Sequence, residues 1–124
     1  LWTLAFDWLG CFTFSPQPGT PAAYLPGRIP KTEAQKRRDA VMRQQRRITS
    51  RANSARIGST VRVLLETPRR GYADFQAPEN DGAVLFTADA GIPGTFISAR
   101  ITGVSSSGYD VIGTALPAAA YCQR

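Results

Sequence analysis

Residues 58–74, GSTVRVLLETPRRGYAD, decide the fold that the sequence predicts. From Val61 to Leu65 an apolar side chain recurs at every second position, which is typical of a strand that buries one face. Thr67-Pro68 supplies a turn, and Arg70 to Asp74 follows as a second strand candidate. The segment therefore predicts two consecutive strands joined by a turn.

Three more strand candidates follow, with turn residues between them: Ala83 to Thr87, Thr95 to Ile101 and Tyr109 to Ala115. Five short strands at this spacing predict a small five-stranded antiparallel barrel of the OB type over residues 58–116, because closure removes exposed sheet edges. Residues 117–124 are expected to form a loose tail. A long helix precedes the barrel, so the predicted class is α+β.

That helix is predicted over residues 31–57, where Thr32 to Gln35 fits a capping box and Gly58 supplies the stop. One narrow apolar stripe indicates packing on one side only: Ala34, Val41, Ile48, Ala52 and Ala55. Residues 31–57 carry nine basic residues and two acids, a net charge of +7. From Gly58 onward five arginines oppose six acids, a net charge of −1.

Residues 1–30 are predicted to be the remnant of a larger domain followed by a linker. Leu1 to Leu9 has helical spacing before Gly10, and Cys11 to Phe14 is a short apolar strand candidate. Such a helix–strand pair resembles the last unit of a truncated α/β barrel, and the missing initiator Met also indicates a fragment. The prolines of residues 15–30 predict an irregular linker.

The composition excludes several kinds of site. The chain has no histidine and two distant cysteines, Cys11 and Cys122, which excludes Cys/His zinc sites and histidine-dependent catalysis. A disulfide between them stays open but is not favoured, because nothing else indicates an oxidising compartment. No catalytic or metal-binding residue is predicted. The longest apolar stretch is far shorter than the ~20 residues of a membrane span, so a soluble, cytoplasmic protein without a membrane partner is expected.

The basic helix has two interpretations. Its lysines and arginines would each add a salt-sensitive phosphate contact if they bound RNA. They would equally suit a solvated helix face whose long side chains cover apolar surface, and this second interpretation is favoured. The loop Ser105 to Gly108 is interpreted as a hairpin loop, since a phosphate-binding role would need a following helix.

Residues 12–23, FTFSPQPGTPAA, resemble the junction after the last barrel strand in radical-SAM methylthiotransferases, and residues 6–10, FDWLG, fit the same family. Gln44-Gln45 and residues 48–50 in the basic helix match its next segment. Gly58 then opens what resembles a TRAM domain, a small barrel named for its occurrence in RNA-modifying enzymes.

Two subfamilies share this layout, a MiaB-like one that modifies tRNA and a RimO-like one that modifies an aspartate of the twelfth small-subunit ribosomal protein. The Arg-Thr…Asn-Arg pattern of the tRNA type is missing here. Residues 77–82, APENDG, resemble a stretch of the ribosomal-protein type, with Phe75-Gln76 inserted before them. A slightly acidic barrel also suits a basic ribosomal protein better than RNA. A RimO-like enzyme is therefore implied, with an RNA-binding MiaB-like module as the alternative.

The resemblance implies radical replacement of a carbon-bound hydrogen by a methylthio group, with 4Fe-4S clusters and S-adenosylmethionine bound by upstream domains. The Cys-x-x-x-Cys-x-x-Cys motif is missing here, so this chain is expected to hold no cofactor, to be inactive alone and to adjoin the upstream radical-SAM domain. Its expected role is to dock the small-subunit ribosomal protein. The expected substrate-binding residues are Arg70, Tyr72, Asp74, Glu79 and Asp81, although Tyr72 would also suit the core and Asp81 its own turn.

Overall fold

The computed structural model describes residues 3–118 of the chain. A 25-residue helix, α1, spans Lys31–Ala55, and five strands follow it. They are β1 (Thr60–Thr67), β2 (Arg70–Ala73), β3 (Val84–Phe86), β4 (Phe96–Val104) and β5 (Val111–Ala115). No helix among the described residues is long and apolar enough to cross a membrane. Cys122 and the end of the expected tail lie outside the described residues, as does the disulfide alternative.

The five strands close into a barrel in the order β1-β2-β3-β5-β4, and the predicted α+β, OB-like class is confirmed. The prediction of a wholly antiparallel barrel is wrong, because β3 and β5 pair in parallel, with Val84 opposite Val111. The reason is geometric. Strand directions cannot alternate all the way round a closed ring with an odd number of strands, so at least one neighbouring pair must be parallel.

The barrel core follows from the alternation that the sequence shows. In β1, Val63 and Leu65 point inward at 0% and 1% exposure, while Leu64 between them faces out. They pack with buried side chains from all the other strands: Ala73, Val84, Phe86, Ala99, Ile101 and Val111. Burial of each large aliphatic side chain contributes about 1.5–3 kcal/mol, so this cluster is the main source of barrel stability.

Helix α1 begins at Lys31, but the predicted capping box does not form. Pro30 occupies the N-cap position, and no side chain caps the first turn. Its carbonyl accepts a 3.0 Å hydrogen bond from the Ala34 amide. At the other end Gly58 has φ +90°, a left-handed conformation that suits glycine. Its amide donates to the Ile101 carbonyl at 2.8 Å, which ties the helix end to β4.

The buried face of α1 is more polar than predicted. It consists of Gln45, Ile48, Thr49 and Asn53. Of the predicted apolar stripe only Ile48 is fully buried, and Ala55 is exposed. The amide of Gln45 donates to the Phe6 carbonyl at 2.6 Å, and the Thr49 hydroxyl donates to the Asp7 carbonyl at 2.8 Å. The helix therefore holds its neighbours through side-chain hydrogen bonds to backbone carbonyls.

These bonds also explain an error in the prediction for the start of the chain. In residues 3–14 neither the expected helix nor the expected strand forms. The carbonyls of Phe6 and Asp7, which a local helix would use for its own hydrogen bonds, accept from side chains of α1 instead. In the predicted strand, the Cys11 carbonyl accepts from Arg38 of α1 at 3.3 Å. The proline-rich segment contains one short 3-10 turn, Pro21–Tyr24.

Candidate functional site

The predicted site residues Arg70 and Tyr72 lie together on β2, where they form a cluster with Glu66 of β1. The Tyr72 hydroxyl donates to the Glu66 carboxylate at 3.1 Å and accepts from the Arg70 guanidinium at 3.3 Å. Arg70 Nε also lies 3.3 Å from Glu66 Oε2. The hydrogen bond to Tyr72 raises the pKa of Arg70, whose guanidinium is charged in any case. The cluster presents a fixed, charged hydrogen-bonding surface.

Tyr72 lies on the outer face of the barrel, where its neighbours cover most of the ring. Its residue is 8% exposed and lies opposite Leu64 in the β1–β2 ladder. The ring therefore has little area left for a partner, and the hydroxyl acts by orienting Arg70 and Glu66. That ion pair is about half exposed, and such pairs contribute only about 0–1 kcal/mol to stability.

The other three predicted residues lie in the β2–β3 connection, residues 74–83. Asp81 shapes this loop, because its carboxylate accepts from the Ala77 amide at 2.8 Å while its own amide donates to the Ala77 carbonyl at 3.1 Å. Asp74 and Glu79 are exposed. Glu79 has φ +68°, a left-handed backbone conformation that residues other than glycine adopt at a cost. No hydrogen bond or ion pair among the described residues joins this loop to the Arg70 cluster.

The loop is strongly acidic. Residues 74–83 contain three acids and no basic residue. Within residues 3–118 none of the five ion pairs involves Asp74, Glu79 or Asp81. The loop thus holds three of the six acids of the barrel, and two of them, Asp74 and Glu79, are exposed.

Sequence reasoning missed that the acidic loop is anchored to the start of the chain. The Trp8 indole donates to the Phe75 carbonyl at 3.1 Å, and the Arg56 guanidinium lies 4.2 Å from the centre of the Phe75 ring. Arg56 also approaches the Asp7 carboxylate at 3.6 Å. The only available signal was the apparent insertion Phe75-Gln76. Gln76 is buried, and its side-chain oxygen accepts a hydrogen bond from the Ala73 amide.

A second surface that the sequence did not reveal lies on β1 and β4. Phe96 is 61% exposed, and the Arg62 guanidinium lies 4.7 Å from its ring centre. Leu64, opposite Phe96 in the ladder, is also partly exposed. An arginine stacked on an exposed aromatic ring is a pairing that nucleic-acid-binding surfaces use for base stacking.

The chain does not fit a radical-SAM cluster. Three thiolates are needed to hold such a cluster with one iron open, and the whole sequence has two cysteines. The described residues also bring together no group of three His, Cys, Asp or Glu side chains that would hold a metal ion.

Comparison with known proteins matches residues 57–116 to the TRAM domain. Most of the chain is also similar to ribosomal protein uS12 methylthiotransferases RimO. The protein of Moorella thermoacetica is 38% identical over 107 residues, which are 86% of this chain and 24% of the relative. That of Syntrophobacter fumaroxidans is 41% identical over 113 residues, 86% of this chain and 25% of the relative. That of Synechococcus sp. strain CC9902 is 43% identical over 122 residues, 90% and 26% respectively. The chain thus spans about a quarter of the length of these relatives.

Proposed function

We propose that the chain, whose residues 57–116 match the TRAM domain, is the C-terminal part of a RimO-like methylthiotransferase and docks the substrate of that enzyme. The proposed substrate is a small-subunit ribosomal protein, because the relatives are named for their action on uS12. The proposed reaction of the whole enzyme adds a methylthio group to an aspartate of that protein. This chain contributes binding, and the chemistry takes place elsewhere in the enzyme.

The observation that carries the proposal is the charge division along the chain. Residues 57–116 contain four arginines and six acids, a net charge of −2, although the helix before them is strongly basic. Three of those acids lie in one loop without an ion-pair partner among residues 3–118. Ribosomal proteins are rich in lysine and arginine, and complementary potentials speed the encounter of such partners.

The proposed docking surface comprises the acidic loop and the adjoining β2 cluster. Asp74 and Glu79 would receive basic side chains of the partner through charge-assisted hydrogen bonds, which also fix its register. Arg70, oriented by Tyr72, would meet an acidic or carbonyl group next to them. Asp81 would act indirectly, because its carboxylate is used to hold the loop.

This docking is tested by the double substitution Asp74→Asn with Glu79→Gln, which removes two charges and keeps the side-chain shapes. We expect association with the ribosomal protein to slow by about three- to tenfold at low salt, with a smaller change in dissociation, because the pair acts mainly through steering. The melting temperature should be nearly unchanged, since neither carboxylate takes part in a hydrogen bond or ion pair among the described residues. Stopped-flow mixing at several salt concentrations measures the rates.

A matched control is available on α1. The double substitution Glu33→Gln with Asp39→Asn makes the same chemical changes outside the acidic loop, on partly exposed carboxylates that pair with Arg37 and Arg38. It should leave association within about twofold of the unmodified chain. Equal slowing by both double variants would show that only total charge matters, and an unaffected Asp74/Glu79 variant would place the docking surface elsewhere.

The proposed division of labour also predicts that the isolated chain holds no iron–sulfur cluster and does not cleave S-adenosylmethionine. Two cysteines cannot supply the three thiolates that the radical-generating cluster needs. Anaerobic reconstitution followed by iron and sulfide determination is the measurement, with a Cys11→Ser variant to report adventitious iron. Stoichiometric cluster iron in the unmodified chain would contradict this assignment.

We further propose that the apolar side chains before α1 contact the radical-SAM domain. The enzyme is proposed to act in the cytoplasm. Phe12 is 89% exposed, Phe14 60% and Leu25 66%. They line a groove of about 710 Å³ that also includes Ala34 and Val41 of α1. Large exposed apolar patches usually mark interaction sites, which supports packing against another domain.

A further inference from the structure

We propose that α1 and the β4–β5 loop together form a groove that binds the phosphodiester backbone of RNA. The groove, with a volume of about 420 Å³, lies where the last turns of α1 meet the loop at residues 105–108. Its lining consists of three arginines, five serines and one glycine, without an acidic residue. The arginines are Arg46, Arg47 and Arg51.

Packing holds the two walls of the groove together. Asn53, which is fully buried, donates hydrogen bonds to the Gly108 carbonyl at 3.0 Å and to the Tyr109 carbonyl at 3.1 Å. Gly108 has φ +81° and lies so close to α1 that a Cβ there would be 2.9 Å from the Cβ of Ser50. The loop is therefore seated directly on the helix, and the groove exists before any ligand arrives.

The loop is also ordered internally. The Gly108 amide donates to the Ser105 carbonyl at 2.9 Å, and the hydroxyls of Ser105 and Ser107 lie 2.8 Å apart. Sequence reasoning rejected a phosphate role for this loop because no helix follows it. The structure places α1, from an earlier part of the chain, beside the loop instead, and α1 supplies the cations.

The arginines of the groove are available to a ligand. None of the ion pairs within residues 3–118 involves Arg46, Arg47 or Arg51. Arg46 lies 5.9 Å from the centre of the Tyr109 ring, a contact that limits the directions it can take. Guanidinium groups bind phosphate oxygens through paired hydrogen bonds, so this set of donors selects phosphate well.

The shape favours a chain of phosphates over a single ion or a lipid surface. Arg47 and Arg51 are one helical turn apart, about 6 Å along the axis, so a repeating polyanion would contact both. No apolar side chain lines the groove, whereas helices that bind membranes insert apolar residues beside their basic ones. The serine hydroxyls can both donate to and accept from ribose 2′-hydroxyls, which DNA lacks.

This inference goes beyond the proposed docking of a ribosomal protein and does not depend on it. The two surfaces carry opposite charge: the protein would approach the acidic loop, and RNA would approach the basic groove. Failure of either binding test leaves the other surface unaffected.

The experiment measures fluorescence anisotropy of two short single-stranded RNAs of unrelated sequence with the full chain over a salt series. The variant Arg47→Gln with Arg51→Gln should weaken binding of both RNAs by about tenfold and reduce the salt slope by about 1.4, since each phosphate contact on a single strand contributes about 0.7. Ser106→Asp, which adds a negative charge at the rim, should also weaken binding, and Ser106→Asn should not. DNA of the same sequence should bind more weakly.

The matched control is Lys36→Gln with Arg37→Gln, an equal loss of charge about 15 Å away along the same helix. It should change affinity by less than about threefold. Equal losses in both double variants would overturn the proposal in favour of nonspecific charge attraction, as would full competition by polyglutamate at matched charge. Equal affinity for DNA would overturn the assignment to RNA. A loss that follows Phe96→Ala, with Arg47 and Arg51 making no difference, would place RNA on the β1–β4 surface instead.

Discussion

Replacing Gly82 by alanine is expected to lower the free energy of unfolding by about 3 kcal/mol, because the added methyl group has no space. A Cβ built at this position would lie 2.7 Å from the carbonyl carbon of Tyr109 and 2.8 Å from Cη2 of Trp8. Backbone cannot yield as a flexible side chain can. The melting temperature should fall by about 12–24 °C, measured by circular dichroism during heating.

The strain has no easy release because hydrogen bonds fix both sides of the contact. The Ala83 amide donates to the Asp110 carboxylate at 2.9 Å, and the Val111 amide donates to the Ala83 carbonyl at 3.0 Å. Gly103→Ala is the matched control, since a Cβ there would meet only Ile112 side-chain atoms at 3.8 Å or more. That variant should stay within about 1 kcal/mol of the unmodified chain. A similar small effect for Gly82→Ala would contradict the close approach of Gly82 to Tyr109 and Trp8.

The barrel could be predicted from the sequence because its signal is local. A period of two survives wherever one face is buried, and the residues that break it, such as Pro68 and Gly94, mark real turns. Strand ends were predicted less well: β3 is shorter than the predicted segment and β4 is longer. Closing five strands into a barrel requires at least one parallel pair, whatever the sequence. The expectation of a wholly antiparallel barrel was therefore inconsistent with closure.

The seam between α1 and its neighbours could not be predicted, because its residues are polar. An apolar-stripe argument ignores Gln45, Thr49 and Asn53, although each is at most 1% exposed. Their partners are backbone carbonyls 39 to 56 residues away in the chain. Every residue has a backbone carbonyl, so the sequence does not show which ones will be bound. Two of these bonds, from Gln45 and Thr49, reach Phe6 and Asp7 in the segment predicted to be a helix.

The candidate site was partly predictable. Arg70 and Tyr72 are two residues apart on a strand, so their placement on one side of the barrel followed from periodicity. Their link to Glu66 depends on the register of β1 against β2, where a bulge between Leu65 and Thr67 shifts the pairing. The basic groove depends on a tertiary contact between segments more than 50 residues apart, which no local pattern records.

Replacing Asn53 by leucine is expected to lower the free energy of unfolding by about 2–4 kcal/mol, although leucine fills a similar volume. The buried carbonyl of Gly108 and the partly buried carbonyl of Tyr109 would each lose a donor, and an unsatisfied buried group costs about 1–3 kcal/mol. Leucine also removes the carbonyl oxygen that accepts a 3.1 Å hydrogen bond from Arg56. Urea denaturation gives the change in free energy.

The location of the loss separates this effect from general destabilisation. Because Asn53 links α1 to the β4–β5 loop, amide hydrogen exchange should rise by about thirtyfold or more in the last turns of α1 and in residues 105–110. The β1–β2 ladder should be less affected. Ser54→Ala is the matched control, since the Ser54 hydroxyl donates only to the Ser50 carbonyl on the exposed side of the helix, and its free energy of unfolding should stay within about 0.5 kcal/mol of the unmodified chain.

RNA affinity should fall in Asn53→Leu even though every arginine remains, because the walls of the groove separate. Unchanged affinity together with the exchange increase would show that α1 binds RNA without the loop.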